Sequence, residues 1–236
     1  MTRFTRYALS MRLQWRHGFI PAFAVTLALL TAILRSLPLS FKLPAAQAMI
    51  ASDPLFFAFF FSGAFLMLEK SDGTIAALAA SPYPAHEYLL ERGLAVGLVA
   101  AASGTALAAF SDITAWTPFP IVAAQLVGSA CAGAAGIAVA SRVKSINGFF
   151  IASVPAMALM AVPLLSALFG FPSETIAAFF PGWAVVSWIG AGLGRSTSIG
   201  NVIASLANGA FWTAAAFIAA ERSFSRLFRD AGRTAP

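Results

Sequence analysis

Residues 119–140 read FPIVAAQLVGSACAGAAGIAVA, twenty-two residues without a single charge. A helix over this stretch, rising 1.5 Å per residue, reaches about 33 Å and so crosses the roughly 30 Å hydrocarbon layer of a bilayer. Its small residues are ordered: Gly128, Ala132 and Gly136 recur every fourth position, with Ser129 and Gly133 beside them. Such a face lets helices approach closely in lipid, within one subunit or between two. Cys131, the single cysteine of the chain, falls in the same run and reads as a packing residue, with no disulfide or thiolate cluster available to it.

Apolar runs of similar length lie on both sides. Going outward from 119–140, the turn at 112–118 leads back to a span at about 93–110, and 141–148, with Arg142 and Lys144, leads on to 149–170, which Pro155 and Pro163 are expected to kink. Further out lie spans at about 19–34, 49–68 and 199–220. Residues 175–194 are apolar enough to cross, yet are broken by Pro181-Gly182 and hold Gly190, Gly192 and Gly194. Charge decides between the topologies. With six crossings and a re-entrant or interfacial hairpin at 175–194, 12 of the 15 Lys and Arg residues share one side, and only Arg35, Lys42 and Arg195 face the other. The positive-inside rule then places both termini in the cytoplasm. Gly190 to Ser196 has no strand before it and reads as a flexible outer turn, not a phosphate loop.

The expected fold is therefore all-α: one polytopic membrane domain over 1–236 with six transmembrane helices. Near the N-terminus Phe4, Tyr7, Ala8, Met11 and Trp15 share one helical stripe with Arg3 and Arg6 opposite, predicting an interfacial helix over 1–17 that lies against membrane lipid. A plain cytoplasmic tail is the simpler alternative. A cleaved signal peptide fits poorly, since about 17 residues precede the first apolar run.

Composition agrees. Hydrophobic residues make up 59% of the chain, charged residues 10%, and mean hydropathy is +0.82, far from a soluble domain in which about 25% of residues are charged. The net charge of +6 sits between apolar runs instead of on one folded face, which argues against nucleic acid as a partner.

The longest polar stretch, 69–92, reads EKSDGTIAALAASPYPAHEYLLER. Ser71 or Asp72 is placed to cap a short alanine-rich helix, Pro82 and Pro84 to stop it, and His86-Glu87 to open the helix that enters the next span. A short rigid helix between two spans suits a knob that docks into another protein; a solvated connector would look the same.

This run resembles the region after the second span in ABC-2 type permeases, roughly E-x-D/E-x-G-T-L/I-x-A-L-x-x-S/T-P followed by a Tyr-Leu element. Glu69, Gly73, Thr74, Ala77, Leu78, Ser81, Pro82, Tyr88 and Leu89 fall at the family positions, while Lys70-Ser71 varies the acidic run and Arg92 only loosely replaces a later basic residue. The opening MRLQWRHGFIPAF (11–23) is similar to the start of the bacterial fluoroquinolone-export permeases, a branch of that family. The resemblance implies a permease subunit of an ABC exporter in the bacterial plasma membrane, moving a hydrophobic or amphipathic compound, possibly a drug. It further implies a separate cytoplasmic ATPase subunit, with ATP and Mg bound there, and a second permease copy. Coupling to that ATPase would fall to Glu69, Asp72, Gly73, Thr74, Leu78, Ser81 and Pro82. A P-loop needs G-x-x-x-x-G-K-[ST], and the two Lys-Ser pairs here, Lys70-Ser71 and Lys144-Ser145, follow Glu69 and Val143 instead of glycine.

Phe57, Phe60, Phe61 and Phe65 on the second span could wall a substrate pathway, though a lipid-facing stripe explains them equally. Residues for catalysis or metal binding are thin: His17 and His86 lie far apart, no H-E-x-x-H occurs, and Asp53, Asp112, Glu174 and Glu221 are all expected at span ends. The chain is not expected to be an enzyme. A non-transporting scaffold or assembly factor using the 69–92 segment as an adaptor remains the alternative.

Overall fold

The computed structural model describes residues 19–79, 84–113 and 116–234. The predicted interfacial helix at 1–17, and Ser81 and Pro82 of the predicted coupling set, lie outside them. Among the described residues every regular element is helical. In chain order these are α1 (Phe19–Ser36), α2 (Leu39–Ser52), a π-helical turn (Asp53–Phe57), α3 (Ala58–Ser71), α4 (Thr74–Ala79), α5 (Ala85–Phe110), α6 (Pro118–Ala140), α7 (Ile146–Phe169), α8 (Glu174–Ala177), α9 (Trp183–Gly192) and α10 (Ile199–Thr234).

Among the described residues, five helices are long and apolar enough to cross a membrane: Leu39–Ser71, His86–Phe110, Pro118–Ala140, Ile146–Phe169 and Ile199–Arg229. Ala24–Ser36 within α1 and Trp183–Gly192 are shorter apolar helices. The chain is thus a helical membrane protein.

Three boundaries differ from expectation. The second span begins at Leu39 instead of residue 49, because α2, the π turn and α3 form one 33-residue rod. The polar side chains that read as loop are satisfied by distant partners: Lys42 Nζ lies 3.8 Å from Asp112, and Gln47 Nε2 donates to the Val186 carbonyl at 2.8 Å. Most of 69–92 is likewise helix, since Glu69 closes α3 and Arg92 lies inside α5. The last helix continues well past residue 220, because Ser223 and Phe224 find a buried face. Nor does Ser71 cap α4; its hydroxyl donates to the Leu68 carbonyl at 2.7 Å and finishes α3.

α6 is the central post. A Cβ on Gly136 would collide with the Phe59 backbone, and one on Gly128 would overlap Val185 and Pro54. Ala132 between them is fully buried. The small-residue face therefore brings the π turn, α3 and α9 against α6 within one chain, as close backbone packing requires.

Between α7 and α10 the chain folds back on itself. Gly170, at φ 71°, ends α7, and α8 leads to Gly182, which faces the Leu55 side chain. α9 then returns to Gly192, whose carbonyl accepts from the Thr117 amide at 2.7 Å. The non-helical backbone of this fold-back is tied down by side-chain donors. Asn208 of α10 donates to the Ala178 and Phe180 carbonyls at 2.9 and 3.2 Å, and Trp212 Nε1 donates to Phe179 at 3.2 Å.

Candidate functional site

Glu69 stands in the last turn of α3 with its side chain only 17% exposed, where its charge would be costly without a partner. It has two. The Tyr88 hydroxyl donates to Glu69 Oε2 at 2.6 Å, and the Arg92 guanidinium pairs with Oε1. Both partners come from the first two turns of α5, so this knot holds the entry of α5 against the exit of α3. Arg92 is 6% exposed and lies over the Phe65 ring, 4.7 Å from its centroid, an arrangement that suits a planar guanidinium. Tyr88 stacks in turn on Phe224 of α10 at 4.5 Å, and Phe224 contacts Phe228 at 4.4 Å.

Lys70, the next residue, does different work. Its ammonium donates to the carbonyls of Ala140, the last residue of α6, and Val143, in the turn that follows, at 3.1 and 2.6 Å. The tail of α3 is thereby fixed to the α6–α7 turn. Arg142 in that turn donates to Ser223 Oγ of α10 at 3.1 Å.

α4 projects from this frame. Asp72 and Gly73 make the turn before it, Gly73 at φ +72° with open space where a Cβ would stand; that backbone conformation strains any L side chain. Ile75 roots α4 at 4% exposure, in the cluster that holds Leu66, Tyr88 and Phe224. Thr74 and Ala77 are exposed, and Leu78 lies in the last turn. The predicted coupling residues thus divide. Glu69 points inward and binds the frame together, while Asp72, Gly73 and Thr74 lie on the outside.

The phenylalanines divide too. Phe60, with Phe56, Phe150 and Met157, lines an apolar groove of about 350 Å³ between the rod and α7. Phe57 and Phe61 contact each other, 5.5 Å between centroids, and are half-buried. Phe65 is buried at 4% exposure, apart from the groove and under Arg92.

Asp53, expected at a span end, lies instead near the middle of the 33-residue rod, 3% exposed. Its Oδ2 accepts from Ser103 of α5 and its Oδ1 has no partner. Next to it, Pro54 lacks the N–H that would bond the Ile50 carbonyl, and Gln125 Nε2 of α6 donates to that oxygen at 3.0 Å. The Asp-Pro pair inside an apolar run was the available signal, hidden because the span was begun ten residues too late. No comparable signal marked Arg92 as the partner of Glu69.

At the opposite end of the bundle, Arg35 and Lys42 lie near Asp112, both at 3.8 Å, and Arg195 donates to Gln47 Oε1 at 2.6 Å. A cavity of about 440 Å³ opens beside Gln47 and Arg195, bounded by α7 and α9 and by Glu174 and Asn201.

A model of the fluoroquinolones export permease protein family matches residues 2–230, nearly the whole chain. The chain belongs to that family. Similar curated proteins are the fluoroquinolones export permease proteins of two Mycobacterium tuberculosis strains, CDC 1551 / Oshkosh and ATCC 25618 / H37Rv. Each is 24% identical over 155 residues, covering 66% of this chain and 65% of the relative, just under two thirds of its length. No solved structure matches the chain.

Proposed function

We propose that this chain is the membrane-spanning permease subunit of an ABC exporter in the bacterial plasma membrane. ATP, with Mg, is hydrolysed by a separate cytoplasmic subunit, and two permease copies make the transport unit. The cargo is a hydrophobic or amphipathic compound; what the relatives are named for does not fix it further. α1 and the five longer helices make six crossings, with α8 and α9 as a re-entrant hairpin on the outer side. The frame of Glu69, Lys70 and Arg142 then faces the cytoplasm, and Arg35, Lys42 and Arg195 face outward, in line with the positive-inside rule.

One observation carries this reading: α4 exposes Thr74 and Ala77 while Ile75, a buried anchor, sits in the same cluster as Tyr88 and Phe224. A push on α4 from a closing ATPase reaches α3, α5 and α10 together, because the Glu69 knot and the Tyr88–Phe224 stack leave no slack between them. Tilting those helices against the rest opens one side and closes the other. The groove at Phe56, Phe60, Phe150 and Met157 is the entry we assign to cargo arriving from lipid.

Inside-out vesicles test this. Vesicles from cells producing the chain with its ATPase should take up a fluorescent amphipathic dye only with ATP, and Gly73→Pro, which rebuilds the turn before α4, should abolish uptake while membrane insertion persists. Uptake that ignores ATP, or that survives Gly73→Pro intact, would count against the proposal.

A further inference from the structure

We propose that the groove between the α6–α7 turn and α10 is a binding site for an anionic phospholipid, its phosphate held by Arg142, Arg222 and Arg226. The groove encloses about 430 Å³ and is completed by Ala215, Ile218, Ala219 and Ser223. On α10 these positions run i, i+3, i+4, i+7, i+8 and i+11 from Ala215 to Arg226, so they form one stripe. Its first half is apolar and its second half carries the guanidiniums. Arg142 comes from a different element, two residues past the end of α6, and is aimed by its hydrogen bond to Ser223.

Three features identify the occupant as lipid. The groove has no carboxylate in its lining, and among the described residues the three arginines form no salt bridge, so no described carboxylate occupies their guanidiniums. Planar guanidiniums that converge from two elements match phosphate oxygens. The apolar half of the stripe continues onto the outward face of α10, where Phe211 and Ile218 are 64% and 49% exposed. Only 11% of that span is buried, so acyl chains can lie along α10 while the headgroup meets the arginines at the membrane surface. An acidic protein surface would use the charges but not this apolar continuation. Basic pockets of this kind between helices suit anionic headgroups.

Native mass spectrometry of the purified full chain tests the site, with phosphatidylglycerol and phosphatidylcholine supplied equally. The wild type should retain phosphatidylglycerol at least about ten-fold over phosphatidylcholine. Arg222→Gln with Arg226→Gln should erase that preference, while the charge-matched control Lys144→Gln with Arg229→Gln should keep it. Ala215→Trp, which fills the apolar half and leaves all charges, should also reduce retention and covers the case in which the glutamine variant fails to fold. No preference in the wild type, or equal loss in the control, would overturn the proposal. So would loss of a stoichiometric protein partner, a second copy included, with lipid retention unchanged.

Discussion

The Tyr88 hydroxyl donates to Glu69 at 2.6 Å, so the last turn of α3 and the first turn of α5 are joined through a carboxylate that also holds Arg92. Removing Arg92 strands that charge. Arg92→Ala is expected to cost about 3–5 kcal/mol, the usual penalty for breaking a buried pair from one side. Tyr88→Phe, which removes one bond to a charged group, should cost less, about 1.5–3 kcal/mol. Thermal unfolding in detergent of the two single variants and of Glu69→Gln with Arg92→Met checks this; the double variant is expected to be more stable than Arg92→Ala.

Gln125 substitutes for the amide that Pro54 lacks. Gln125→Leu leaves the buried Ile50 carbonyl without a donor and should cost about 1–3 kcal/mol. Adding Pro54→Ala restores a backbone N–H at that point. The double variant should therefore recover part of the loss, read as a rise in unfolding temperature over Gln125→Leu alone.

Gly136 gives a simpler prediction. Its hydrogen side meets the Phe59 backbone, which cannot rotate away as a side chain could. Gly136→Ala should force α3 from α6 at a cost of about 1–3 kcal/mol, whereas Ala130→Gly on the same helix should cost near the 1 kcal/mol of helix propensity alone. Fluorescence-detected size exclusion after a heating series separates the two.

What could be read in advance follows from which forces are local. Lengths and apolarity of 93–110, 119–140 and 149–170 depend on neighbouring residues, and those spans stand where they were expected. The small face at Gly128, Ala132 and Gly136 was visible as a pattern, but whether it meets its own chain or another copy depends on the position of Phe59 and Pro54. The beginning of the second span was misplaced because Lys42 and Gln47 look solvated until Asp112, Val186 and Arg195 are brought to them. Asp53 was set at a span end for the same reason. Glu69 was read as part of a docking surface; its inward aim rests on Arg92, twenty-three residues on, and no spacing rule reports such a pair.

In the proposed exporter the exposed side of α4 receives a separate ATPase. Ala77 is exposed on that side, so Ala77→Arg should leave unfolding temperature within the scatter expected of a surface change, about 0.5 kcal/mol. The decisive measurement is a mild-detergent affinity purification of wild type and Ala77→Arg in parallel, with mass spectrometry and ATPase assay of what co-purifies. The wild type should bring down a stoichiometric P-loop ATPase, and an equally stable, monodisperse Ala77→Arg should lose it. Intact wild-type protein that carries no ATPase, or a variant that retains it with unchanged stimulation, would rule out α4 as the docking element and favour a non-transporting scaffold.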